Sequence, residues 1–129
     1  MRLDYHLSKS WERERPPLGA MVLQSTGADF TTGWDWVPLL ELAAAVADLV
    51  EELAGSGDGR SIFQFPDSDA RLFFEAHGDE LRITCSYAPG QISVAWSSFL
   101  SALEVFAARL RRELLGRFRA ESARRSWGL

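Results

Sequence analysis

The sequence predicts an α+β fold: an antiparallel sheet, built from a four-stranded meander plus N-terminal strands, with two helices packed on one face. Three observations carry this. Two segments, 39–53 and 97–114, gather their apolar residues on one arc at helical spacing. Residues 61–96 alternate in polarity and are cut by three turn signals. Residues 2–7 and 20–24 add two short strand-like runs ahead of the first helix.

In chain order, Leu3, Tyr5 and Leu7 share a face and suggest an edge strand. Ser8 to Leu18 is charged, contains Pro16-Pro17 and reads as a loop. Ala20 to Gln24 reads as a second strand, after which Thr26-Gly27, Thr32 and Gly33 break the pattern. Asp35 suits an N-cap and Pro38 a first turn. Leu39, Leu42, Ala43, Val46, Leu49, Val50 and Leu53 then fall on one side of a helix, with Glu41, Asp48, Glu51 and Glu52 opposite. Gly55 to Gly59 is read as the stop and the linker that follows.

Pro66 to Asp69, Gly78-Asp79 and Pro89-Gly90 mark the turns of the meander. Leu81, Ile83, Cys85 and Tyr87 alternate with Arg82, Thr84 and Ser86, giving one buried and one wet face, and Ile92, Val94 and Trp96 continue the buried side. Ser97 is a good N-cap for the second helix, whose core arc is Phe99, Leu103, Phe106, Ala107, Leu110 and Leu114. Beyond Gly116 the wheel fails, because Arg117 and Arg125 land on the apolar side. The helix is expected to stop or bend by about residue 118 and leave a frayed basic tail over 119–129.

At 129 residues, 47% apolar and 25% charged, the chain fits one globular domain. Cys85 is the single cysteine, so no internal disulfide is available. No 18-residue apolar run and no signal-peptide h-region are present, so the expected location is the cytoplasm, with no membrane involvement.

Charge is distributed unevenly. Pro16 to Gly59 holds no Lys or Arg but seven carboxylates: Asp29, Asp35, Glu41, Asp48, Glu51, Glu52 and Asp58. Arg109 to Arg125 holds seven Arg against Glu113 and Glu121. Such separation favours an electrostatic meeting with a partner.

No catalytic motif, metal-ligand set or cofactor fingerprint is found. Cys85 with His77 or His6 would need an exposed thiolate, whereas Cys85 shares the apolar side of its strand. Asp67-Ser68-Asp69 lacks the later oxygen ligands of a calcium loop and reads as a turn. The glycines of GSGDG follow a helix, where a phosphate loop would precede one. Glu51 and Glu52 project from a polar helix face with no shielding pocket to tune an acid. The Arg-rich end lacks the interleaved aromatics and net positive charge of a nucleic-acid binder; the chain carries −4 overall. Trp34-Asp35-Trp36 combines a core anchor with the composition of a protein-binding hot spot, if one ring is exposed.

The order of pieces resembles short bacterial immunity proteins of toxin–immunity systems, of the kind found in actinobacteria. The likeness lies in an apolar helix (LLELAAAVADLVEEL), a Gly-rich break, a phenylalanine-rich hairpin (IFQFPDSDARLFFE), a strand pair with CSYAPG at its turn, and a closing helix (SSFLSALEVFAARLRREL). It implies a small, cytoplasmic, non-enzymatic protein that neutralises a cognate toxin by covering its surface. The expected partner-binding residues are Asp29, Trp34, Asp35, Trp36, Glu41, Asp48, Glu51 and Glu52, facing a basic protein. Two alternatives stand beside this: a small-molecule or enzymatic site on the outer sheet face at Phe73, Thr84 and Ser86, and a subunit that self-associates through an uncovered sheet face or the aromatic-rich hairpin.

Overall fold

A computed structural model describes residues 1–8 and 17–127, with Phe118 and 121–127 described by backbone alone. Its elements are β1 (Arg2–Leu7), β2 (Leu18–Ser25), β3 (Ala28–Asp29), β4 (Val37–Pro38), α1 (Leu39–Ser56), β5 (Asp58–Gln64), β6 (Arg71–His77), β7 (Glu80–Cys85), β8 (Ile92–Ala95) and α2 (Trp96–Trp127). The class is α+β, with two helices and two antiparallel four-stranded sheets. The N-terminal strands pair with each other and form their own sheet: β1 lies on one side of β2, with β3 and β4 on the other. The second sheet is the meander β5-β6-β7-β8. Most of the loop expected over Ser8 to Leu18 lies outside the described residues; Leu18 itself opens β2.

The periodic segments fold as their patterns dictate. On α1, Leu39, Leu42, Ala43, Val46, Val50 and Leu53 are buried, and Leu49 is half-buried. On α2, Phe99, Leu103, Phe106, Ala107 and Leu110 are buried. Both helices join residues of both sheets in one apolar core, centred on Phe30, Phe65, Leu81, Ile83 and Leu110. A turn ties the helices together. The Gly78 N–H donates to the Gly57 carbonyl just past α1, and the Trp96 N–H donates to the Asp79 carbonyl at the start of α2, both at 3.1 Å. The end of one helix therefore meets the start of the other, and the two run antiparallel.

Three local expectations are corrected. Asp35 does not cap α1; the N-cap is Pro38, which makes no side-chain cap bond. The Leu39 N–H donates instead to the Pro17 carbonyl at 3.1 Å, so the residue just ahead of β2 satisfies the orphan donor. The glycine run is not all linker. Gly57, at φ 72°, is the left-handed C-cap, and Asp58 and Gly59 already belong to β5. Finally, α2 begins at Trp96 and continues to Trp127, past the stop expected near residue 118. Leu114 is the last residue with a described side chain to pack on the core, and no proline interrupts the Arg-rich segment that follows.

The first strand is fastened to the last helix. The Tyr5 hydroxyl donates to Glu113 at 2.5 Å, and its ring meets Phe106 edge-on at 5.3 Å. Arg109 pairs with Asp4 at 3.1 Å and lies over the Tyr5 ring. Burial, then the Glu113 carboxylate, push the Tyr5 hydroxyl up from 10.0 to about 12. The bond needs the neutral phenol, so its stabilisation is intact below pH 10 and is lost as pH rises toward about 12. Tyr5→Phe is expected to lower stability by about 1 kcal/mol at neutral pH and to flatten that alkaline loss. Urea titrations of both proteins across this range check it.

Candidate functional site

The segment between β3 and α1 carries the two indoles, and backbone bonding fixes it. The Phe30 N–H donates to the Leu23 carbonyl at 2.7 Å, and the Thr32 N–H to the Met21 carbonyl at 3.0 Å. The buried Thr32 hydroxyl accepts from the Met21 N–H and donates to the Trp34 carbonyl. From the connection between β7 and β8, the Tyr87 hydroxyl donates to the Phe30 carbonyl at 2.6 Å. Burial, first of all, raises the Tyr87 pKa, so the phenol stays a donor.

The two tryptophans divide the roles foreseen for them. Trp34 is half-buried and meets Phe65 and Tyr87 edge-on at 5.4 and 5.3 Å, joining the two sheets. Trp36 lies tilted against it at 6.1 Å and is 49% exposed. A large apolar surface is thus held open on a braced support, the arrangement that favours contact at low entropic cost.

Each carboxylate expected at the site is exposed. Asp35 lies between the two indoles in sequence. Asp29, at the end of β3, accepts from the Thr31 N–H at 3.0 Å and the Gln24 amide at 3.2 Å. Thr31 first, then Gln24, hold its pKa below the usual carboxylate value. Glu41, Asp48, Glu51 and Glu52 all stand on the solvent side of α1. Glu51 leans toward the groove between the helices, whose other wall includes Leu100, Glu104 and Arg111. Among the described residues, the ion pairs involve Asp4, Glu75, Glu80 and Glu113, and none of the seven acids between Pro16 and Gly59. The acids face solvent, and none of the described arginines pairs with them.

The outer face of the meander is the second candidate. Ile62, Phe73 and Thr84 follow one another across β5, β6 and β7, and with Gln91 just ahead of β8 and Arg60, Glu75 and Arg82 they line an open hollow of about 330 Å³. Ser86 is outside it, where its hydroxyl accepts from the Arg71 N–H. Cys85 and His77 sit at opposite ends of the β6–β7 ladder, opposite Leu72 and Glu80 respectively, so they form no thiol–imidazole pair. His77 instead bonds Glu75 at 2.6 Å. Asp67 occupies the hairpin turn at φ 56°, and Ser68 accepts from the Ala70 N–H, which fits the turn reading of that triplet.

Two exposed apolar residues escaped the sequence reading: Val105, 59% exposed, and Leu115, 48% exposed. They lie on α2 opposite its core arc. Scoring the back of the wheel for apolar residues, as well as the front, finds them. No helix among the described residues is long and apolar enough to cross a membrane. No protein-family model, curated protein or solved structure matches the chain.

Proposed function

We propose that this chain is a non-enzymatic, cytoplasmic protein-binding domain, an immunity protein that neutralises a cognate toxin through its acidic and aromatic surface. One observation supports this above the rest: the carboxylates of the Asp29–Trp36 segment and of α1 are exposed and in no ion pair among the described residues, and the same segment holds the Trp36 ring open to solvent. The carboxylates steer a basic partner into contact, and Trp36 supplies the desolvated area that retains it. Trp34 serves as the brace beneath.

The test uses the product of the adjacent upstream reading frame as the partner. Its association rate is expected to fall about tenfold between low and high salt. Glu41→Gln with Asp48→Asn and Glu52→Gln slows association and leaves dissociation nearly unchanged. Trp36→Ala speeds dissociation, costing roughly 2 kcal/mol of binding, while stability changes little because the ring is half in water. A salt-independent association rate refutes the electrostatic claim. The hollow beside Phe73 and Thr84 favours a second reading, small-molecule binding on the outer sheet face, which a ligand screen against the parent and Phe73→Ala proteins examines.

A further inference from the structure

We propose that the solvent side of α2 pairs antiparallel with α2 of a second copy of this chain, forming a two-fold dimer. The inference stands apart from the toxin-binding reading. It is argued from the solvent side of α2, and of the toxin-binding residues only Glu51 shares a groove with its Glu104 and Arg111.

Ser98, Ser101, Val105, Ala108, Arg112, Leu115 and Arg119 recur at intervals of three and four residues, so they form one stripe along the helix. Every one of them is exposed. Their spacing is that of a coiled-coil seam, and they lie opposite the arc through Phe99, Phe106 and Leu110 that fills the core. A helix whose back faces only water gains nothing from Val and Leu there. Val105 is nevertheless the most exposed large apolar residue among those described.

Charge selects the occupant. Glu104 and Arg111 flank the stripe on one side, seven positions apart, both exposed on the groove with α1. A two-fold axis crossing the helix pair between residues 106 and 107 places Glu104 of each copy beside Arg111 of the other. The same register sets Val105 against the partner's Ala108, where the small side chain leaves room, and Arg112 beside the partner's Ser101. Opposite charges therefore meet twice by symmetry, Val105 and Ala108 close at the centre, and Leu115 falls toward the second copy's Ser98.

Sedimentation equilibrium of the full chain tests this. The parent is expected to dimerise with rising concentration, and Val105→Asp to remain monomeric. Glu104→Arg or Arg111→Glu alone should weaken the dimer about tenfold by setting like charges opposite each other. The double variant E104R/R111E, or a 1:1 mixture of the two single variants, should restore it to within about threefold of the parent. All three positions face solvent, so helical circular dichroism should be unchanged; if a charge-reversed variant loses it, Glu104→Gln and Arg111→Gln make the comparison. A parent that stays monomeric at all accessible concentrations, a dimer that survives Val105→Asp, or a double variant that is not rescued overturns the proposal.

Discussion

Gly19→Ala is expected to destabilise the protein by about 3 kcal/mol, lowering the melting temperature by roughly 10 °C. A Cβ at Gly19 would lie 2.2 Å from the His6 carbonyl oxygen and 2.9 Å from a Leu39 methyl carbon. The first obstacle is backbone, so no rotamer change relieves it. Gly19 pairs with Leu7 in the ladder, and β1 must shift away to admit the methyl group. That movement strains the Tyr5–Glu113 and Asp4–Arg109 links to α2. Gly55→Ala is the internal contrast. Gly55 lies inside α1 with no atom near its would-be Cβ, so alanine should stabilise by about 0.5–1 kcal/mol. Thermal melts of the two variants should move in opposite directions. If Gly19→Ala melts with the parent, the close approach of β1 and β2 is misjudged.

Phe65→Ala should cost about 3–5 kcal/mol, among the largest losses available to a single core truncation here. Phe65 is 1% exposed and meets three rings edge-on: Trp34 at 5.4 Å, Phe63 at 5.3 Å and Tyr87 at 6.0 Å. It is the ring that Trp34, from the segment between β3 and β4, and Tyr87, from the β7–β8 connection, both touch, so removing it opens a cavity between them. The near-ultraviolet dichroism of the tryptophans should weaken as the urea midpoint falls. Binding of a basic partner should weaken too, because Trp36 rests on Trp34 and Trp34 on Phe65. Set beside Trp36→Ala, which lowers binding with little effect on stability, this separates the brace from the contact. A variant as stable as the parent would mean that the two sheets do not rely on this cluster.

Short-range periodicity made much of the fold legible. The α1 and α2 core arcs, and the alternation through Leu81 and Ile83, are properties of neighbouring residues and needed no knowledge of the rest. What was missed depends on distant partners. The Leu39 N–H is satisfied from Pro17, so Asp35 was not needed as a cap despite its suitable position. β3 and β4 are two residues each, too short to show a period, and exist because β2 offers them an edge. The end of α2 was misread because a wheel scores the apolar pattern, whereas the helix continues to Trp127 where that pattern fails. At the candidate site, exposure of the α1 acids followed from the wheel. Which tryptophan faces water did not, since that depends on Phe65 and Tyr87, 31 and 53 positions further along the chain from Trp34.

The tie between Tyr5 and Glu113 spans 108 positions. During synthesis the meander can pair as soon as it leaves the ribosome, because its strands are consecutive. β1 emerges first but must wait for nearly the whole nascent chain before its partner on α2 exists. The N-terminal sheet should therefore acquire its native anchorage only at the end of translation or after release, and a transcript truncated before Arg109 would yield a meander with an unsecured first strand.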